Sequence, residues 1–190
     1  MKRSIGARTV MYPTPVMVVG TYDVDGKPNA MVAAWGGICC SVPPCISVSL
    51  RKATYTYECL MERKEFTISI PSKNYVEEAD YLGLASGRDT DKFKDTHLTP
   101  ERAEHVNAPF VKEFPVSIEC RVIGIHELGL HTQFIGEILD VKVEDDCLID
   151  GTPDTDKIGP FLYSPGNSSY FATGEFLMKA FTCGKKFMRK

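Results

Sequence analysis

Arg51 and Lys52 stand together at the end of an apolar run, and Thr54, Tyr55, Thr56 and Tyr57 follow at once, where the residue pattern changes from strand to helix. Such a junction supplies what a phosphate-like anion needs: fixed positive charge, orphan backbone N–H groups, the positive end of a helix dipole, and short hydroxyl donors in Thr54 and Thr56. The same residues also fit a solvated cationic pair followed by an ordinary threonine cap. Local pattern leaves both readings open.

A second stretch, Asn29 to Gly37, surrounds the single tryptophan, Trp35, with the small residues Ala33, Ala34, Gly36 and Gly37. Small side chains let a flat ring lie close to backbone N–H and C=O groups, and they serve equally for close strand packing inside a barrel. Asn29 offers both a donor and an acceptor, to a ligand or to the neighbouring turn. His131 shares a face with Gln133 and is read as a hydrogen-bonded structural residue, not as a base. His97, His105 and His126 have no cysteine or carboxylate at metal-ligand spacing, and no G-x-S-x-G nucleophile motif occurs. Ser86 to Phe93 mixes Arg88, Asp89, Asp91 and Lys92 without the glycine and distal glutamate of a calcium loop; it reads as a solvated loop, or as a polar cap before a turn of helix.

The elements that must position these residues follow from periodicity. Pro15 to Asp23 is an apolar, β-branched run, Asp25-Gly26 is a turn signal, and Asn29 to Trp35 completes a hairpin. In Cys45 to Leu50 the residues Ile46, Val48 and Leu50 alternate with Ser47, Ser49 and then Arg51 on the opposite face. Helix is expected from Thr54, as N-cap, to about Arg63, and again from Asn74, as cap, to a C-cap at Gly87. Phe66 to Pro71 returns to strand, and Pro115 to Leu128 and His131 to Asp146 form a long antiparallel pair. Asp150 to Pro160 is polar and reads as a surface loop. Strands joined by short turns favour an antiparallel sheet or barrel, and no G-x-G-x-x-G follows any strand.

Composition limits the classes of function. With 190 residues, 43% hydrophobic and 25% charged, the chain can bury a core unaided, and residues 1–190 are expected to form one domain. A net charge of -3 with scattered basic residues gives no general attraction for nucleic acid. No run approaches a membrane span, and Arg8 interrupts any signal-like apolar segment after Met1-Lys2-Arg3, so a cytoplasmic setting is expected. The seven cysteines include no C-x-x-C pair, and they read mostly as reduced, buried small hydrophobes. The run Cys39-Cys40-Ser41-Val42-Pro43-Pro44-Cys45 offers a fragment of an iron-sulfur or redox site, but it lacks the C-x-x-C spacing of cluster sites and takes the same reading.

Taken in order, Pro13–Asp23, Pro28–Gly37, Ser41–Leu60, Ser86–Phe93, Gly129–Ile138 and Pro160–Glu175 resemble the flavin reductase-like family of FMN-binding split-barrel proteins, and within it most closely the flavoredoxins. The resemblance implies a mainly β fold: a six-stranded antiparallel Greek-key barrel with peripheral helices, forming a homodimer with FMN near the subunit interface. By position it implies that Arg51, Lys52, Thr54 and Thr56 hold the FMN phosphate. Asn29 and the backbone of Met31, Val32, Ala33, Ala34 and Trp35 would border the isoalloxazine, and Ser41 the ribityl chain. His131 and Tyr170 would lie near the ring or its access groove. Several relatives carry hydroxyl residues where this chain has Val32, Ala33 and Ala34, so polar contacts to the ring there would come from backbone.

The activity implied is electron transfer through bound FMN, with donor and acceptor proteins or NAD(P)H as redox partners and no catalytic acid or base required. An NAD(P)H:flavin oxidoreductase of the same fold is the alternative. A flavin-free binding barrel, with Arg51 and Lys52 merely solvated, is a third reading.

Overall fold

The structure is a computed structural model that describes residues 1–188. Its main sheet has seven strands in the order β3-β2-β6-β9-β10-β5-β4. In chain order these are β2 (Met17–Tyr22), β3 (Pro28–Ala33), β4 (Gly36–Ser41), β5 (Pro44–Arg51), β6 (Glu65–Ile70), β9 (Val116–Leu128) and β10 (His131–Val143). Every pairing among them is antiparallel.

The ladder has two ends, β3 and β4, but these are successive in the chain and separated only by Ala34 and Trp35. One half of this bent segment pairs with β2 and the other with β5, so six chain segments encircle the core although the hydrogen-bonded ladder does not close. Around the ring the first three segments run in sequence, and the last three return in reverse, β10, β9, β6. This is the expected Greek-key split barrel. The strand Gly36–Ser41 was not foreseen, because Gly-Gly-Ile-Cys-Cys-Ser has no period-2 pattern and is exposed from Ile38 onward.

Met17, Val19, Ile46, Val48, Leu50, Phe66, Ile68 and Phe134 fill the barrel. Tyr57 packs edge-on to Phe134 with ring centroids 5.7 Å apart, the core role its spacing suggests. β2 is apolar on both faces for a physical reason. Its Val18 faces outward into a second cluster with Ala30, Leu82, Phe93, Val111 and Phe114, which the helices α2 (Val76–Leu84) and α3 (Lys92–Thr96) help to build.

α1 (Tyr55–Arg63) bridges β5 and β6. Small ladders complete the fold: β1 (Thr14–Pro15) with β13 (Phe161–Ser164) and β14 (Ser169–Ala172), β7 (Pro100–Arg102) with β8 (Pro109–Val111), and β11 (Leu148–Ile149) with β12 (Thr152–Pro153), before the four-residue α4 (Thr155–Ile158).

Three local expectations change. The position before α2 is Tyr75, not Asn74, because a turn of 3-10 helix at Lys73–Tyr75 comes first. That helix ends at Leu84 with Ala85 as C-cap, so Gly87 is not its cap. Ser86–Phe93 is not a solvated loop throughout and takes its other reading, a polar cap before a turn of helix: Asp91 caps α3 by accepting from the Lys94 N–H, and Lys92 and Phe93 are buried. Lys92 reaches through the helical layer and donates to the carbonyls of Ala30 (2.9 Å) and Leu82 (2.8 Å), while burial pushes its ammonium pKa down to about 8.

Candidate functional site

β5 carries two faces, as its alternation requires. Ile46, Val48 and Leu50 enter the core; Ser47, Ser49 and Arg51 point the other way, beside Gln133 and His131 of β10. The register sets Arg51 directly opposite His131 and Ser49 opposite Gln133. Over this outer face lies a cavity of about 680 Å³, within the usual range for small-molecule sites. Ala34, Trp35, Gly36 and Gly37 form one wall, Ser47, Ser49, His131 and Gln133 the floor, and residues Arg8 to Met11 of the N-terminal segment cross its edge. The wall is held in place by the Ser49 N–H, which donates to the Trp35 carbonyl at 2.7 Å. A larger concavity of about 1200 Å³ lies between the N-terminal segment and Ser164–Asn167, but none of the sequence-predicted residues lines it.

At the Arg51 end of the floor, the chain turns into α1. Thr54 takes the N-cap backbone conformation, yet its side chain caps nothing; the hydroxyl donates to the Arg51 carbonyl at 2.8 Å. The start of α1 therefore keeps first-turn N–H groups that no side chain satisfies. Arg51 is exposed, and its guanidinium has no hydrogen-bond or ion-pair partner among the described residues. Lys52 is also exposed, but its ammonium is 2.8 Å from Glu127, a hydrogen bond that raises the lysine pKa.

Thr56 is turned inward and is 1% exposed; its hydroxyl accepts from the Asn29 side-chain amide at 2.9 Å. The other end of that amide, Asn29 Oδ1, is buried without a partner. Gly87 packs against it: a Cβ built there would collide with Oδ1 and stand 2.8 Å from the Tyr55 ring, so this backbone approach favours glycine.

The remaining expected residues fall elsewhere. Met31 and Val32 alternate along β3, and Val32, Ala33 and Ala34 line a second cavity of about 300 Å³, with Ala34 shared between the two cavities. Tyr170 lies there too, donating its hydroxyl to Asp80 at 2.8 Å and packing on Phe161 and Tyr163; burial and the Asp80 bond push its pKa up. His131 and Tyr170 thus line different cavities, with the end of β3 between them. Ser41 is exposed at the far tip of the β4–β5 hairpin.

Sequence reasoning passed over Ser47, Ser49, Gln133 and Arg88. The first three carried a usable signal, since they share the Arg51 and His131 faces by alternation. Arg88 carried none: its guanidinium donates to the Ala53 carbonyl at 3.1 Å, pairs with Glu58, and lies 5.4 Å from the Tyr55 ring centroid. Tyr55 in turn donates to Asp23 at 2.9 Å, and burial with that bond takes its pKa up to about 12. The corner is a hydrogen-bonded frame around Arg51, free among the described residues, and a helix start that no side chain caps.

Comparison with known proteins bears on the family and the fold. Residues 8–170 match the family model described as Flavin reductase like domain. The solved flavoredoxin of Desulfovibrio vulgaris (Miyazaki F) is 59% identical, with 97% of this chain and 100% of that one covered and a TM-score of 0.94. Flavoredoxin from Methanosarcina acetivorans is 33% identical, with 99% and 100% covered and a TM-score of 0.92. A Kitasatospora aureofaciens protein named flavin reductase (NADH) is 29% identical over 67% of this chain and 64% of its own length.

Proposed function

The chain belongs to the flavin reductase-like family, and from that premise we propose that it binds FMN and carries electrons through it, as a homodimer. One observation carries the assignment: the Arg51–His131 register joins an unpaired cation and an uncapped helix start to the end of a cavity walled by small residues and Trp35. The residues fit the group. Phosphate takes Arg51 and the first-turn N–H groups of α1, with Thr54 beside them and Lys52, already paired to Glu127, as a second charge. The flat ring takes the backbone of Ala34 to Gly37, and Ser47, Ser49, Gln133 and His131 present polar groups along the floor.

When bound, the flavin supplies hydride or single-electron chemistry that none of these side chains provides. The chain's own part is to anchor the phosphate away from the reacting end, to hold the wall by the Ser49–Trp35 bond, and to exclude water with the Arg8–Met11 segment. Asn29 and Thr56 act behind the phosphate corner; they fix the start of α1 and do not face the cavity. Leu128 and Ile38, exposed at the cavity rim, and Leu130 beside them favour a second copy against this edge.

The purified protein is expected to show flavin absorbance that survives desalting, and to be reduced anaerobically by a low-potential donor; a colourless protein that takes up no FMN overturns the assignment. The Kitasatospora relative supports a second reading, an NAD(P)H:flavin oxidoreductase. Rapid aerobic NADH oxidation with added FMN would favour it over a carrier.

A further inference from the structure

We propose that Cys40 and Cys45 form a reactive dithiol that small-molecule disulfides oxidise to a cross-strand disulfide at the tip of the β4–β5 hairpin. The two residues are direct partners in the antiparallel ladder, one pair in from Ser41–Pro44 at the turn. Directly opposed residues in such a ladder have Cα atoms about 4.5 to 5.5 Å apart, inside the span a disulfide bridges. Both thiols point at the same turn: Cys40 Sγ donates to the Val42 carbonyl at 3.3 Å and Cys45 Sγ to the adjacent Pro43 carbonyl at 3.4 Å.

Cys39 is set apart from the pair. The ladder slips between Ile38 and Cys40, so Cys39 is the extra residue of a bulge and has no partner across the hairpin. The remaining thiols divide in exposure as a dithiol exchange site requires. Cys40 is exposed and can meet a disulfide, whereas Cys45 is 3% exposed and stands opposite Cys40 in the ladder. Burial, with the neighbouring Cys40, Cys39 and Glu137, raises the Cys45 pKa, which fits it to the second step and not the first.

The reaction balances as thiol–disulfide exchange. Cys40 thiolate attacks one sulfur of R–S–S–R, forming Cys40–S–S–R and releasing R–S⁻, which takes up the proton that Cys40 gave. Cys45, losing its own proton, then displaces the second R–S⁻ from Cys40 and closes the ring. The protein loses two electrons and two protons, and the disulfide becomes two R–SH. The same two strands give Gly36, Gly37, Ile38, Ser47 and Ser49 to the larger site cavity, so oxidation would clamp the wall of that cavity at its outer end. The exchange itself is independent of what the cavity holds.

The test equilibrates the full chain with glutathione disulfide and glutathione, quenches with acid and alkylates, then maps the tryptic peptide that ends at Arg51. Wild type and Cys39→Ser should both lose the mass of two hydrogens in that peptide. Cys45→Ser should stop as a glutathione adduct on Cys40, and Cys40→Ser should form no bridge. The equilibrium constant should exceed that of the same protein in urea by ~10-fold or more, equivalent to about 30 mV. A bridge that persists in Cys40→Ser, its absence from Cys39→Ser, or equal constants folded and unfolded would overturn the proposal.

Discussion

The two ends of β10 carry two polar clusters built from similar residue types, and they have opposite fates. At Lys142, near the strand's end, Glu119 of β9 is fully buried and accepts from the backbone N–H groups of Glu104 (3.3 Å) and His105 (2.6 Å) and from Lys142 (3.0 Å). Lys142 also reaches Asp140 at 2.8 Å and Glu104 at 3.1 Å. Burial alone would raise the Glu119 pKa, but the His105 N–H, the Lys142 ammonium and the Glu104 N–H together bring it below the ordinary value.

At His131, where the strand begins, the opposite holds. Among the described residues Arg51 is unpaired, and α1 starts without a side-chain cap. A polar cluster that satisfies itself pins the Ala103–Ala108 loop to the barrel; one that leaves donors open has them free for a group from outside the chain, as the proposed phosphate site requires.

That contrast can be broken by substitution. The largest effect is expected at the saturated end: Glu119→Ala strands two N–H groups and part of the Lys142 charge, and should cost about 3 to 5 kcal/mol in urea unfolding without altering FMN affinity of the folded protein. The advantage of wild type over Glu119→Gln should also depend on acid. Because the folded pKa lies below the ordinary 4.5, the stabilisation is complete above that value and is lost as pH falls through the folded pKa. An advantage unchanged across that range in unfolding titrations would mean the carboxylate charge is idle.

At the open end the ranking of effects reverses from stability to binding. Arg51→Ala should weaken FMN by about 1.5 to 3 kcal/mol, from loss of a charge-assisted bond, while riboflavin affinity and stability hold steady. Equal losses for the two ligands in fluorescence titrations would place the phosphate elsewhere. Thr56→Val sharpens the boundary between the clusters, since it leaves the buried Asn29 amide only its long bond to Thr21 at 3.5 Å. It should destabilise by about 1 to 2 kcal/mol and, by loosening the start of α1, weaken FMN more than riboflavin but less than Arg51→Ala does. Lys52→Ala should do least. Its charge is already engaged by Glu127, so FMN affinity should fall less than in Arg51→Ala, and the difference should shrink with added salt.

Much of the frame was legible from residue order. The alternation in Cys45–Arg51 put Ile46, Val48 and Leu50 inward and left Arg51 outward beside the start of α1, and the long pair Val116–Leu128 with His131–Val143 appeared where periodicity placed it. These are decisions taken within a few residues, where side-chain period and capping chemistry outweigh distant contacts.

The site was less so. Thr56 sits on the predicted helix, but its hydroxyl serves Asn29, 27 positions away. Tyr170 sits on a strand and faces a different cavity from His131. Gly87 looked like a cap because its chemistry suits one, yet its place is set by contact with Asn29 and Tyr55.

By itself the sequence determined the periods, the helix start behind two cations, and which β5 face would be polar. Only the tertiary structure decided that Ala34-Trp35 bends one segment to both edges of the sheet, that Arg51 meets His131, and that Glu119 is saturated while Arg51 is not. Register and burial depend on which strands become neighbours across long stretches of chain, and local pattern does not encode that choice.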